Sequence, residues 1–232
     1  MKVGLALSGG GARGIAHLGV LKALEEANIQ VDMISGASAG SVAAAFYSFG
    51  YTPEETLEIF DNTNLLKLIW PAFSVTGLFS IQKSESIYEK YMPENSFEKA
   101  NIPLYISTTN LNEGKSEIFS SGSLHDAILA SCCIPFVFDP IKINKQLYVD
   151  GGVLNNLPTE ILKENGADFI IGVNVAPVIQ EPELSGPKRI FERVTVLALS
   201  ANVTASSKIC DMYIKPAELR SYGTFDFKKS KE

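Results

Sequence analysis

The chain is short of the residues on which several large enzyme classes depend. Its 232 residues include two histidines (His17 and His125), three cysteines (Cys132, Cys133 and Cys210) and one tryptophan. No CxxC or HExxH spacing occurs, so there is no metal-ligand set and no metal or cofactor is expected. An odd number of cysteines, two of them adjacent, makes a poor disulfide framework and fits a reducing compartment. Basic residues are outnumbered 20 to 26, for a net charge of -6. That balance argues against a partner such as duplex nucleic acid, which demands a basic face, and against adsorption to anionic lipid by charge alone. No apolar run approaches the roughly 20 residues needed to span a bilayer. The N-terminal run Val3 to Leu7 is too short for a signal-peptide core. A soluble, cytoplasmic protein is expected, with any membrane contact transient and peripheral.

Hydrophobic residues make up 46% of the chain, enough for one sizeable core in a single domain over residues 1–232. Residues 2–8 read as a buried strand ending at glycines. Ile15, Leu18, Leu21 and Leu24 recur at helical spacing within 12–27. Residues 30–35 read as a second strand and the alanine-rich stretch 39–49 as a second helix. Pro53, Glu54 and Glu55 open a third. Strand, helix, strand, helix implies a parallel sheet covered by helices. Further strands are expected at 103–109, 116–120, 146–149, 168–175 and 211–215. Further helices are expected at 82–91, 124–131, 156–165 and 188–205. A proline-rich loop is expected at 176–187 and a frayed charged tail at the C-terminus. Residues 65–80 are unusually apolar for a connection. Trp70, Phe73, Leu78 and Phe79 there suit either a lid touching lipid or a cap on the core.

Three glycine-bearing motifs carry chemistry. Gly36-Ala37-Ser38-Ala39-Gly40 is a G-x-S-x-G between an expected strand and an expected helix. A nucleophile on so tight a turn needs small neighbours, and the following helix N-terminus favours developing negative charge. Gly9-Gly10-Gly11-Ala12-Arg13-Gly14 lies between the first strand and first helix, where free backbone amides can form an oxyanion hole. Arg13 there suits steadying the loop or meeting a phosphate. Gly9, Gly11 and Gly14 also spell the dinucleotide fingerprint, which requires an acid at the end of the second strand. The nearest acid, Asp32, stands near that strand's start instead. A plain glycine turn is the third reading. Asp150-Gly151-Gly152 follows the expected strand 146–149, and its tight turn lets the carboxylate project at a strand end.

Neither histidine is well placed for a Ser–His–acid triad, since none follows residue 125. His17 falls on the first helix, where it suits holding the glycine loop. His125 lies at the start of an expected helix beside Asp126, where an exposed or helix-start role is commoner than catalysis. Without histidine, a carboxylate must take the serine proton, and a desolvated aspartate is basic enough to do so.

Four blocks in order resemble the patatin-like phospholipases of bacterial type. They are Gly9 to Gly14 with Ile15-Ala16-His17-Leu18-Gly19 after it; the Ser38 block; Ala130-Ser131-Cys132-Cys133-Ile134-Pro135; and Asp150-Gly151-Gly152, all within about residues 3–165. The resemblance implies a three-layer α/β/α fold with a mostly parallel central sheet. It implies a metal-free serine hydrolase acting on lipid acyl esters through a dyad, Ser38 as nucleophile and Asp150 as general base. Gly9, Gly10, Gly11, Arg13 and Gly14 then form the oxyanion block, Gly36 and Gly40 the nucleophile turn, and Gly151 and Gly152 the acid turn. Leu129 stands where family members often carry arginine. Two other functions stay open on sequence grounds: a non-catalytic lipid-binding module on the same scaffold, and a dinucleotide-dependent oxidoreductase.

Overall fold

The computed structural model describes residues 1–63, 70–71, 79–178, 185–216 and 218–222. Phe73 and Leu78, and with them the lid and cap readings, fall outside the described residues, as do 179–184 and the tail after 222.

Ten strands and eight helices are described, in the order β1 (Val3–Leu7), α1 (Ala16–Glu26), β2 (Met33–Ala37), α2 (Ala39–Ser48), α3 (Pro53–Asn62), β3 (Trp70–Pro71), β4 (Phe79–Ser80), α4 (Glu85–Tyr91), β5 (Leu104–Asn110), β6 (Lys115–Phe119), α5 (Leu124–Ser131), β7 (Ile141–Ile143), β8 (Gln146–Asp150), α6 (Glu160–Glu164), β9 (Phe169–Val173), α7 (Pro187–Ser200), α8 (Val203–Ser206) and β10 (Met212–Ile214). A 3-10 turn, Gly11–Ile15, precedes α1. Apart from the small β3–β4 pair, the strands form one sheet in the order β10-β9-β1-β2-β5-β8-β7, with β6 also on β5. The first five strands of that order run parallel, and β6, β7 and β8 are antiparallel additions.

Alternation along the strands builds the layers. Leu5, Leu7, Ile34, Ile171 and Val173 join the larger core with α1, α2 and α5, while their strand neighbours Ala6, Met33 and Ile170 join a second core with Leu162 and Val203. β1 and β2 are buried along their whole length, as parallel strands covered on both faces must be. The chain is thus a mostly parallel sheet between two layers of helix. Local chemistry supports the elements: Thr52 and Glu55 close a reciprocal capping box on α3, and Ser123 caps α5.

One detail of the sheet decides where chemistry can occur. β6 pairs with residues 106–110 of β5 on one edge. β2 pairs with residues 104–107 and β8 with 108–110, so both must share the other edge. They meet end to end: Ala37 lies opposite Ser107, and Asp150 opposite Thr108. Adjacent positions on one strand are about 3.3 Å apart. The fold therefore brings the residue after Ala37 and the last residue of β8 face to face.

Candidate active site

Ser38 and Asp150 meet at that junction. Ser38 Oγ donates to Asp150 Oδ2 over 2.7 Å, although 112 positions separate them. Ser38 is 6% exposed and Asp150 fully buried. Each is fixed from several sides. The Ser38 N–H donates to Ser131 Oγ (2.8 Å), and that hydroxyl donates to the Ser107 carbonyl (2.7 Å). The Ser38 carbonyl accepts from the amide and hydroxyl of Ser41. Together these bonds hold Ser38 at φ 50, ψ -126. A non-glycine residue there is strained by about 1–3 kcal/mol, so the turn persists because its surroundings determine it.

Asp150 is held by its own turn. Its Oδ1 accepts from Gly152 N–H (2.8 Å), its amide donates to the Cys133 carbonyl (2.9 Å), and its carbonyl accepts from Thr109 Oγ1. Burial raises its pKa from the ordinary carboxylate value to about 6, against the opposing pull of the bonds from Ser38 and Gly152. A carboxylate so raised is a better proton acceptor than one in water. Burial likewise pushes Cys133 up to about 12 and Cys132 further, so these neighbouring thiols stay protonated and are poor nucleophiles.

The glycines are explained by close approach. A side chain on Gly36 would strike the Gly40 carbonyl, and one on Gly40 would strike the Leu7 carbonyl. Only without either Cβ can α2 start directly against β1 and β2. Gly14 lies against Ala39 and Gly151 against the Ser107 backbone, while Gly152 supplies the amide to Asp150. Gly10 lies beside Val175, and Gly11 opens the 3-10 turn with φ 58.

The structure places three of the residues named from the sequence as follows. Gly9 was expected as an oxyanion donor, but its N–H is already hydrogen-bonded to Asn156 Oδ1 (3.0 Å). It instead packs beside Ser38, whose Cβ would lie 2.9 Å from a Cβ placed on Gly9. Arg13 is buried, and its Nε donates to the Tyr222 carbonyl (2.7 Å), tying the glycine block to the C-terminal segment. His125 lies in the first turn of α5, one of the two roles expected of it, and is 2% exposed rather than open to solvent, bonding the Met92 carbonyl through Nε2 (2.9 Å).

His17 does hold the glycine loop. Its Nε2 donates to the Ser8 carbonyl (2.8 Å), and burial lowers its pKa to about 4, so it stays neutral. Asp32 accepts from the Val3 amide (2.7 Å) at the opposite end of the sheet from Ser38, so no acid stands where the dinucleotide fingerprint needs one.

Sequence reasoning missed Asn156 and the role of Ser131. Asn156 is fully buried, its amide bonds Asn202 Oδ1, and Asn202 Nδ2 in turn reaches the Gly152 carbonyl. Asn156 and Asn202 together thus link the glycine block to the acid turn. No local pattern marks Asn156.

A model of the patatin-like phospholipase family matches residues 5–163. The chain belongs to the patatin-like phospholipase family. Lysophospholipase NTE1 of Kluyveromyces lactis is 29% identical over 268 aligned positions, covering 99% of this chain and 18% of that protein. An NTE family protein of Mycobacterium tuberculosis is 32% identical over 214 positions, covering 91% of this chain and 58% of that protein. The chain therefore spans less than a fifth of the fungal relative and somewhat more than half of the mycobacterial one. Among solved structures, VipD from Legionella pneumophila shares the fold, with a TM-score of 0.51 at 18% identity over 74% of this chain and 49% of that one. Among the described residues, no helix of this patatin-like domain is long and apolar enough to cross a membrane.

Proposed function

We propose that this patatin-like chain is a serine hydrolase that cleaves acyl esters of lipids, with Ser38 as nucleophile and Asp150 as sole general base. The observation that carries the reading is the 2.7 Å hydrogen bond from a strained serine to a buried carboxylate. Ser38 Oγ attacks the ester carbonyl carbon as its proton passes to Asp150 Oδ2. The carbonyl electrons move onto oxygen, and that oxyanion is met by main-chain amides. Gly9 being engaged with Asn156, the donors in this reading are the amides of Gly10 and Gly11, where the glycine block enters the Gly11–Ile15 turn, aided by the N-terminus of α2. Collapse of the intermediate expels the alcohol, which takes the proton from Asp150. Water then repeats the sequence on the acyl-serine with Asp150 again as base.

Lipid is the favoured substrate class because of family membership and the lysophospholipase named among the relatives. The test is hydrolysis of lysophosphatidylcholine and of p-nitrophenyl esters of increasing chain length. The wild type should cleave both, with longer acyl chains preferred. Binding of these lipids with no turnover by folded wild type would instead identify a non-catalytic lipid-binding module.

A further inference from the structure

The loop joining α5 to β7, residues 132–140, is tied directly to the dyad. Ser131 holds the Ser38 amide, and the Cys133 carbonyl accepts from the Asp150 amide. The Cys133 thiol donates across the loop's neck to the Asp139 carbonyl. The amides of Val137 and Phe138 both turn back onto the Ile134 carbonyl, and Ile134 and Phe138 are buried.

Between these anchors Phe136 does the reverse. It is 77% exposed, more than any other large hydrophobic among the described residues except Met1. Its φ is 66, a left-handed conformation that glycine adopts freely and an aromatic residue does not. Exposing a phenyl ring to water and holding its backbone left-handed are both unfavourable, and both fall on one residue. Chain reach places it within roughly 11 Å of Cys133. Other exposed apolar side chains flank the acid turn: Leu154, four residues past Asp150, and Ile190, Val194 and Leu197 on α7, which packs against Gly151–Val153.

We propose that Phe136 is an apolar anchor that seats the mouth of the site on the surface of a zwitterionic phospholipid bilayer. The inference rests on the lipid-hydrolase reading for its choice of partner. Charge supports that choice: at -6 the chain gains nothing from an anionic surface, which favours contact with an uncharged one through an apolar side chain. The Cys133–Asp139 bond and the bonds of Val137 and Phe138 to Ile134 make the loop a stiff support that holds the ring in place before any contact is made.

The test is co-sedimentation with phosphatidylcholine vesicles, in a Ser38→Ala background so that no lipid is consumed. Ser38→Ala protein should bind the vesicles, and adding Phe136→Gly should weaken partitioning roughly tenfold or more. Glycine relieves the left-handed backbone, so the Tm of Phe136→Gly should not fall. Phe136→Trp should restore binding. Loss of lipid contact without loss of stability is the signature that separates an anchor from a packing residue. The proposal is overturned if Ser38→Ala protein ignores the vesicles, if Phe136→Gly binds them as well as its parent, or if its Tm drops by more than about 4 °C. Hydrolysis is not read here. A wild type that cleaves no ester sinks the proposed activity and leaves the anchor standing.

Discussion

The two ends of the sheet use aspartate in opposite ways. At the end where the parallel strands begin, Asp168, Asp32 and Asp211 accept from the amides of Lys2, Val3 and Ile170 over 2.7–2.8 Å. Asp168 and Asp211 are exposed and Asp32 half-buried, so water shares the work of solvating each carboxylate. They tie one strand's start to its neighbour's. At the end where β2 stops, Asp150 is fully buried, and its carboxylate meets one amide and one serine hydroxyl. The same side chain is a structural brace where water reaches it and, in the proposed mechanism, a proton acceptor where water is excluded. Burial, rather than residue type, separates the two roles.

The sharpest way to break this contrast is by substitution at both ends. Ser38→Ala should lower ester hydrolysis by about 10^4-fold or more, and Asp150→Asn by about 10^2–10^4-fold. Asp32→Asn should leave turnover within about twofold. Steady-state kinetics on a p-nitrophenyl ester reads all three, and equal losses at Asp32 and Asp150 would erase the distinction.

Next in size is the close packing that forms the buried end. Gly40→Ala should destabilise by about 3 kcal/mol or more in denaturant unfolding, because the new methyl meets the Leu7 backbone, which cannot swing aside.

Asp150 should also cost stability, and the sign is worked out from its raised pKa of about 6. The unfolded chain releases this proton near pH 4 and the folded chain near pH 6. Folding stability from this group is therefore fully present below about pH 4 and is lost as pH rises to about 6. Asp150→Asn should then be more stable than wild type above pH 6, by up to about 2–3 kcal/mol, with the difference vanishing near pH 4. A variant less stable at pH 7.5 would contradict the burial argument. The smallest effect is expected at the open end, where Asp32→Asn should cost about 1 kcal/mol through its bond to Val3.

Much of this was legible in the sequence because it is local. The apolar run at 3–7, the helical spacing of Leu18, Leu21 and Leu24, and the G-x-S-x-G between strand and helix all have their causes within a few residues. The second strand was expected at 30–35 and lies at 33–37, since Gly36 and Ala37 are small for the sake of α2 above them and not because the chain turns there. β7 was missed because it is three residues long and follows Pro140. The helix expected at 156–165 begins only after Pro158, which disfavours helix before it, and is described at 160–164. The helix expected at 188–205 divides at Ala201 and Asn202, where the Asn202 side chain braces Gly152 and Asn156. The functions of Ser131 and Asn156 depend on segments brought together by β5, so no window of sequence contains them. The burial of His125 follows from its contact with the Met92 carbonyl, 33 residues away.

The hydroxyl of residue 38 and the carboxylate of residue 150 are held to act as one unit, and covalent capture reads this most directly. A fluorophosphonate probe, followed by peptide mass spectrometry, should place the adduct on Ser38. The labelling rate should rise with pH to a plateau with a midpoint near 6, and Asp150→Asn should slow it at least a hundredfold. An adduct on another serine, or a rate indifferent to Asp150→Asn, would contradict the account.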